Sequence, residues 1–238
     1  MAGLGKSIES HYCGGFVICK PFEKPHLEED ALLPRQVRTV CRCLAGVLPS
    51  DWAVDWVVYD EKVRRTRAKE FGLAPHAMVK LIEDVTAGFE ANEIGWPGIF
   101  YSLDRAKRFE TKHIKPGGDE RLIGIGLDEK LVDEFLENEE ISDHRGKYGI
   151  YDSLVSKKEL PSKGKVLGYE ILGYDYGDFH SWLCNGLEDE AYRELSVKPN
   201  GSGLIDSFEE ALQVAKYISQ DEVGAEPGIW MPWLLVEY

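Results

Sequence analysis

The sequence predicts an α+β fold, with a mixed α/β arrangement as the alternative, in which helices pack on a sheet. Two observations favour this class. Segments with the alternating pattern of strands are interspersed irregularly with segments of helical period. Apolar residues make up 43% of the 238 residues, which is enough for a sizeable core. We expect a single domain over residues 1–238, and the polar segment 137–147 is either a break between two lobes or a surface loop.

In the first part of the chain we expect a strand over 12–20, whose apolar centre follows a glycine pair. From Pro34 to Leu48 the apolar residues recur at intervals of three and four, which predicts a helix. Residues 52–59 alternate and predict a strand. The further elements are expected to be helices over 60–71 and 75–91, strands over 99–101 and 122–127, a helix over 102–113 and a helix capped by Asp128.

In the second part, strands are predicted over 148–155, 166–176 and 230–238, and helices over 187–195 and 207–218. Residues 98–106 also line up with residues 203–211 at an offset of 105. In both, an apolar pair precedes a helix-capping serine, Ser102 or Ser207. The match indicates either an internal duplication or the capping chemistry that helix starts share.

Charge is distributed unevenly along the chain. The net charge is −14, from 28 basic and 42 acidic residues. Residues 1–119 contain 17 of each sign, whereas residues 120–238 contain 11 basic and 25 acidic residues. An acidic surface repels phosphates, so we expect no nucleic-acid partner. A basic protein is the complementary partner, and solubility is the alternative explanation for the charge.

The cysteines favour a cytoplasmic location. There are five, an odd number, and their spacing forms no compact disulfide framework. The sequence shows neither the apolar core of a secretory signal nor an apolar run long enough to cross a membrane. We therefore expect free thiols and no membrane partner.

No cofactor, metal ion or catalytic residue is predicted. Gly124 and Gly126 begin a dinucleotide-type pattern, but Glu129 stands where a small residue is needed. On the predicted helix the thiols of Cys41 and Cys43 would point in different directions, so the two residues do not form a zinc-binding pair. His180 and Cys184 have helical spacing but lack two further ligands in the sequence. Known nucleophile–base patterns do not occur.

The segment 168–187 has the least ordinary composition, because Tyr, Asp, His, Trp and Asn gather where a strand ends in a turn. Tyrosine and tryptophan provide large contact areas at protein interfaces. We expect Asp175, Asp178 and His180 to form a solvent-facing cluster, and Phe179 and Leu183 to belong to the core. The predicted partner-binding residues are Tyr174, Asp175, Tyr176, Asp178, His180, Trp182, Asn185 and Trp230.

This segment and the acidic second half resemble bacterial immunity-type proteins, which neutralise polymorphic toxins. The resemblance concerns the last third of the chain. It implies a small cytosolic protein that occludes a partner, such as a basic nuclease toxin, rather than performing chemistry. The expected function is therefore a non-enzymatic acidic protein-binding module. The alternatives are a small hydrolase or a ligand-sensing domain that uses Asp175, Asp178 and His180.

Overall fold

A computed structural model describes residues 8–23, 32–41, 43–44, 61–70, 73–95, 98–114, 118–140, 150–175 and 177–238. The strands are β1 (His11–Cys19), β2 (Phe22–Glu23), β3 (Gln36–Val37), β4 (Ile94–Gly95), β5 (Ile99–Phe100), β6 (Arg121–Asp128), β7 (Lys165–Asp175), β8 (Asp178–Ser181) and β9 (Ile229–Glu237). The α-helices are α1 (Glu61–Glu70), α2 (Pro75–Glu90), α3 (Leu103–His113), α4 (Glu129–Glu140), α5 (Ile150–Val155), α6 (Glu188–Leu195) and α7 (Phe208–Ile218). Short 3-10 helices lie at Ile8–Ser10, Trp182–Asn185 and Asp221–Val223.

A seven-stranded antiparallel sheet forms the centre of the described structure, in the order β4-β5-β1-β6-β9-β7-β8. The strands β2 and β3 form a separate pair. Helices cover both faces of the large sheet. Helices α2, α3 and α7 share one buried cluster with Leu234 and Val236 of β9, whereas α4 and α5 share the other with Trp233 and Leu235. Alternating residues of one strand thus face two helical layers. The predicted α+β fold is confirmed.

Two segments have a different type of secondary structure from the one predicted. Residues after Pro34 form β3 and an extended segment instead of a helix, because their backbone groups bond to distant residues. The Arg38 N–H donates to the Ser202 carbonyl oxygen, and the Val40 N–H donates to Glu170. The predicted strand 148–155 is a helix from Ile150 onwards, because Ile150 and Leu154, four residues apart, are both buried on one helical face. The strand predicted over 52–59 lies outside the described residues.

The two sequence segments that line up also occupy matching places in the fold. Phe100 of β5 pairs with Phe16 of β1, and Ile205 forms a bridge with Tyr169 of β7. The chain then enters α3 or α7 and returns as a central strand, β6 or β9, and these two strands pair with each other. We call β1, β5, α3 and β6 the first unit, and β7, residues 204–205, α7 and β9 the second unit.

Both helix entries are built in the same way. The Ser102 hydroxyl accepts a hydrogen bond from the Arg105 N–H at 3.2 Å, and the Ser207 hydroxyl accepts one from the Glu210 N–H at 3.3 Å. These bonds satisfy backbone donors that a helix start leaves without partners. The first strand of each unit also contains a bulge next to a glycine with positive φ, at Gly15 (132°) and Gly168 (136°). The correspondence therefore extends beyond the helix caps to the strands that they face.

The predicted break at 137–147 falls at the end of α4, which continues to Glu140, while residues 141–149 lie outside the described structure. Strands from both sides of this segment belong to the same sheet. Of the helices that the structure describes, none combines the length and the apolar character required to cross a bilayer.

Candidate functional site

The strands β7 and β8 form a hairpin that contains four of the eight predicted partner-binding residues. Asp175 pairs with Asp178, and Gly173 pairs with His180. Since side chains alternate along a strand, Asp175, Asp178 and His180 share one face of the hairpin. The expected grouping of these three side chains is therefore present, and all three are partly exposed.

A second acidic segment lies against this hairpin. The Nδ1 atom of His180 is 3.4 Å from Oε2 of Glu226, and the Trp230 indole N–H donates to the Glu226 carbonyl oxygen at 2.9 Å. Glu226 follows the short helix that contains Asp221 and Glu222, both of which are exposed. We define the acidic edge by the following residues: Asp175, Asp178, Asp221, Glu222 and Glu226.

The aromatic side chains predicted to contact a partner are buried instead. Tyr174, Trp182 and Trp230 are 2%, 1% and 8% exposed. Helices cover both faces of the sheet, so aromatic residues at this end of it pack inward and stabilise the core. Phe179 and Leu183 are buried, as expected. Tyr176 lies outside the described residues, and Asn185 ends the 3-10 helix Trp182–Asn185.

Further carboxylates line α6 and α7, which pack side by side and are joined by a hydrogen bond from the Tyr217 hydroxyl to Glu190. Glu209 and Glu210 lie in the first turn of α7, where the helix dipole stabilises negative charge. Glu194 lies in the last turn of α6, where the dipole disfavours it. Within the described structure, no Lys or Arg nitrogen lies within 4 Å of the following exposed carboxylates: Asp189, Glu194, Glu209, Glu210, Asp221 and Glu222.

Three cysteines meet beside the same hairpin. The Cys41 and Cys184 sulfurs are 3.0 Å apart, and the sulfurs of Cys41, Cys43 and Cys184 all lie within 4.8 Å of one another. The expectation that Cys41 and Cys43 diverge is wrong, because residue 41 is not helical and a hydrogen bond from the Leu44 N–H to the Cys41 carbonyl closes a turn. All five cysteines of the chain are free thiols.

Glu170, a residue that sequence reasoning did not select, holds the segment that leads to Cys41. It is fully buried in β7, and its Oε2 accepts a hydrogen bond from the Val40 N–H at 3.1 Å. Burial raises the pKa of Glu170 to about 7, against the opposing effect of the Thr39 and Ser181 hydroxyls. The signal in the sequence is a single charged residue inside the apolar run 166–174.

The opposite end of the sheet has a different electrostatic character. Arg105 of α3 is buried and bonds to Glu93 at 2.9 Å and to Asp84, which is also 2.9 Å from His113. Burial alone raises the pKa of Asp84, but hydrogen bonds from His113 and Lys112 and the charge of Arg105 outweigh it, so the pKa falls below its usual value. The exposed side of α3 forms an open depression lined by Asp104, Lys107, Arg108, Thr111 and Lys112.

A scan against protein-family models, a search of curated proteins and a search of solved structures each give no match to this chain.

Proposed function

We propose that this chain is a non-enzymatic binding module. It binds a basic protein through the acidic edge and the neighbouring exposed side of α6. One observation supports this proposal above the others. Residues 175–228 contain 12 acidic and 3 basic residues, and the exposed carboxylates among them are concentrated on the hairpin, α6, α7 and the segment after α7. A surface of one sign attracts and orients a partner of the opposite sign.

The resemblance to immunity-type proteins supports a narrower form of the proposal. In this form the partner is a basic nuclease toxin of a bacterial competitor system, and binding in the cytoplasm blocks its cationic substrate-binding surface. Such a toxin attracts nucleic-acid phosphates, so an acidic edge that imitates them would compete for the same surface.

The experiment compares two triple variants with the same change in charge. The first neutralises the acidic edge by Asp175→Asn, Asp178→Asn and Glu226→Gln. The control neutralises the exposed carboxylates of α4 by Glu129→Gln, Asp133→Asn and Glu134→Gln. The probes are purified basic nucleases, including the product of the adjacent gene where that product is basic, and a basic protein that is not a nuclease.

We expect tight binding of one nuclease, with an association rate that falls steeply between low and physiological salt. The acidic-edge variant should associate at least about ten times more slowly at low salt, and the α4 variant should change by less than about two-fold. Equal effects of the two variants would show that only total charge matters and would remove the acidic edge from the proposal.

A hydrolase or ligand-sensing function is the second candidate, because Asp175, Asp178 and His180 share one hairpin face. The variants His180→Gln and Asp175→Asn separate the two functions. In a hydrolase they would abolish turnover and leave ligand affinity largely intact. In a binding module they would weaken the complex by roughly 1–3 kcal/mol for each charge-assisted contact that is lost.

A further inference from the structure

The sulfurs of Cys41, Cys43 and Cys184 form a cluster with a buried floor and an open side. Each sulfur is within 4.8 Å of the other two. Cys41 is fully buried, Cys184 is partly exposed and Cys43 is exposed. Two segments far apart in sequence supply them, so the cluster exists only in the folded chain.

Both segments are held in place by bonds that do not involve the thiols. The Val40 N–H donates to Glu170, which fixes the chain immediately before Cys41. The helix containing Cys184 is closed at its start by the Ser181 hydroxyl, which accepts from the Leu183 N–H, and at its end by Gly186 in the left-handed conformation. The sulfur positions are therefore set in advance by two anchored turns.

We propose that these three sulfurs bind one thiophilic metal ion, with Zn²⁺ as the reference ion, and leave a fourth coordination position open to solvent beside Cys43. Zn–S bonds of about 2.3 Å at tetrahedral angles place sulfurs about 3.8 Å apart. The observed spacings, from 3.0 Å for one pair to at most 4.8 Å, bracket this value. Thiolate ligands select soft and borderline ions over Mg²⁺ and Ca²⁺.

Metal binding replaces the protons of the three thiols by one metal ion. Three S–H bonds break, three metal–sulfur bonds form, and three protons pass to solvent, because the thiolate is the form that ligates a metal. A hydrogen bond with Cys184, together with burial, raises the pKa of the Cys41 thiol, and burial raises that of Cys43. Proton release therefore reports metal binding.

One feature favours a metal ion over a disulfide between Cys41 and Cys184. A disulfide joins two sulfurs, whereas here a third sulfur converges on the pair.

The test uses the full chain, purified with a phosphine reductant and stripped of metal. Zn²⁺ is added in competition with a chromogenic chelator, and proton release is followed in parallel with a pH indicator. Cd²⁺ provides a second readout through sulfur-to-metal charge-transfer absorption. We expect one ion per chain, about three protons released, and an affinity weakened by more than about ten-fold in both Cys43→Ser and Cys184→Ser. Cys19→Ala, at a buried cysteine of β1, is the matched control and should bind as the unmodified chain does.

Two results would overturn the site: no Zn²⁺ bound by the reduced chain, whether or not a Cys41–Cys184 disulfide forms in air, or unchanged binding by Cys43→Ser. Cys43 is exposed, so its variant remains informative even if Cys184→Ser does not fold. The test is independent of the proposed function, because the acidic-edge variants retain all three cysteines.

Discussion

The two units of the sheet share one scaffold and carry opposite charge at the same position. Arg105 and Glu210 both donate their backbone N–H to the capping serine of their helix, three residues earlier. Arg105 is buried and bonds to two carboxylates, whereas Glu210 is exposed. Because the same helix entry forms with a base or an acid, the fold does not require an acidic residue at position 210. The proposed basic partner would give this exposed charge a role.

The strongest test of this contrast is the pair Arg105→Met and Glu210→Gln. Arg105→Met removes the guanidinium that faces Asp84 and Glu93, and losing hydrogen bonds to these partly exposed charged groups costs roughly 1.5–3 kcal/mol of unfolding free energy. Glu210→Gln changes an exposed side chain and should alter stability by less than about 0.5 kcal/mol. Urea denaturation of both variants measures the difference. Similar losses would mean that the second unit also depends on its charges.

A second test concerns the buried carboxyl of Glu170, which lies two residues after the bulge glycine of β7, where the first unit has Val17 after Gly15. The folded-state pKa of about 7 lies above the ordinary value of 4.5, so the folded chain holds its proton while the unfolded chain loses it. Glu170 therefore favours the unfolded state increasingly as pH rises from 4.5 to 7, by about 3 kcal/mol in total.

The measurement for Glu170 is the unfolding free energy between pH 5 and pH 8, with Glu170→Gln as the reference. The variant keeps an acceptor for the Val40 N–H but does not ionise. The stability of the unmodified chain relative to this variant should fall as pH rises. A difference that is constant with pH would show that Glu170 keeps an ordinary pKa.

The third test, which has the smallest expected change in stability between the two units, asks whether their two bulges are equivalent. Gly15→Ala and Gly168→Ala should each cost about 2 kcal/mol, because both positions have positive φ and a Cβ would meet Ile99 or Leu204. Gly186→Ala is the control for φ alone, since φ is 66° there and nothing lies within 4 Å of the added atom; it should cost about 1 kcal/mol. Thermal melts of the three variants decide the order. A loss at Gly168 no larger than at Gly186 would contradict the equivalence.

Local signals predicted the parts of the fold that depend on neighbouring residues. The capping serines placed the starts of α3 and α7, and short apolar runs placed β1, β6 and β9 to within about two residues, the usual error of such bounds. The helix prediction for the segment after Pro34 was wrong because the hydrogen-bond partner of this segment, Glu170, is 130 residues away. Spacings of three and four in apolar residues predict a helix only if backbone bonds stay local, and here they do not.

The candidate site was predicted only where it depends on residues that are close together in the sequence. Asp175, Asp178 and His180 were expected together, and simple strand alternation brings them together. Burial of Tyr174, Trp182 and Trp230 depends on helices contributed by other parts of the chain, so composition alone misplaced them. The three cysteines escaped prediction because their convergence depends on a turn and a 3-10 helix that share no sequence pattern.

The length of the outer strands has a consequence for recognition. Among the described strands, the sheet ends at β4, with two residues, and at β8, with four. A partner that binds by adding a strand needs a longer row of backbone donors and acceptors than these edges offer, and short edges also protect a sheet from pairing with other copies. The β8 edge therefore offers an extended peptide little to pair with, and under the proposed function recognition there would depend on the charge and shape of side chains.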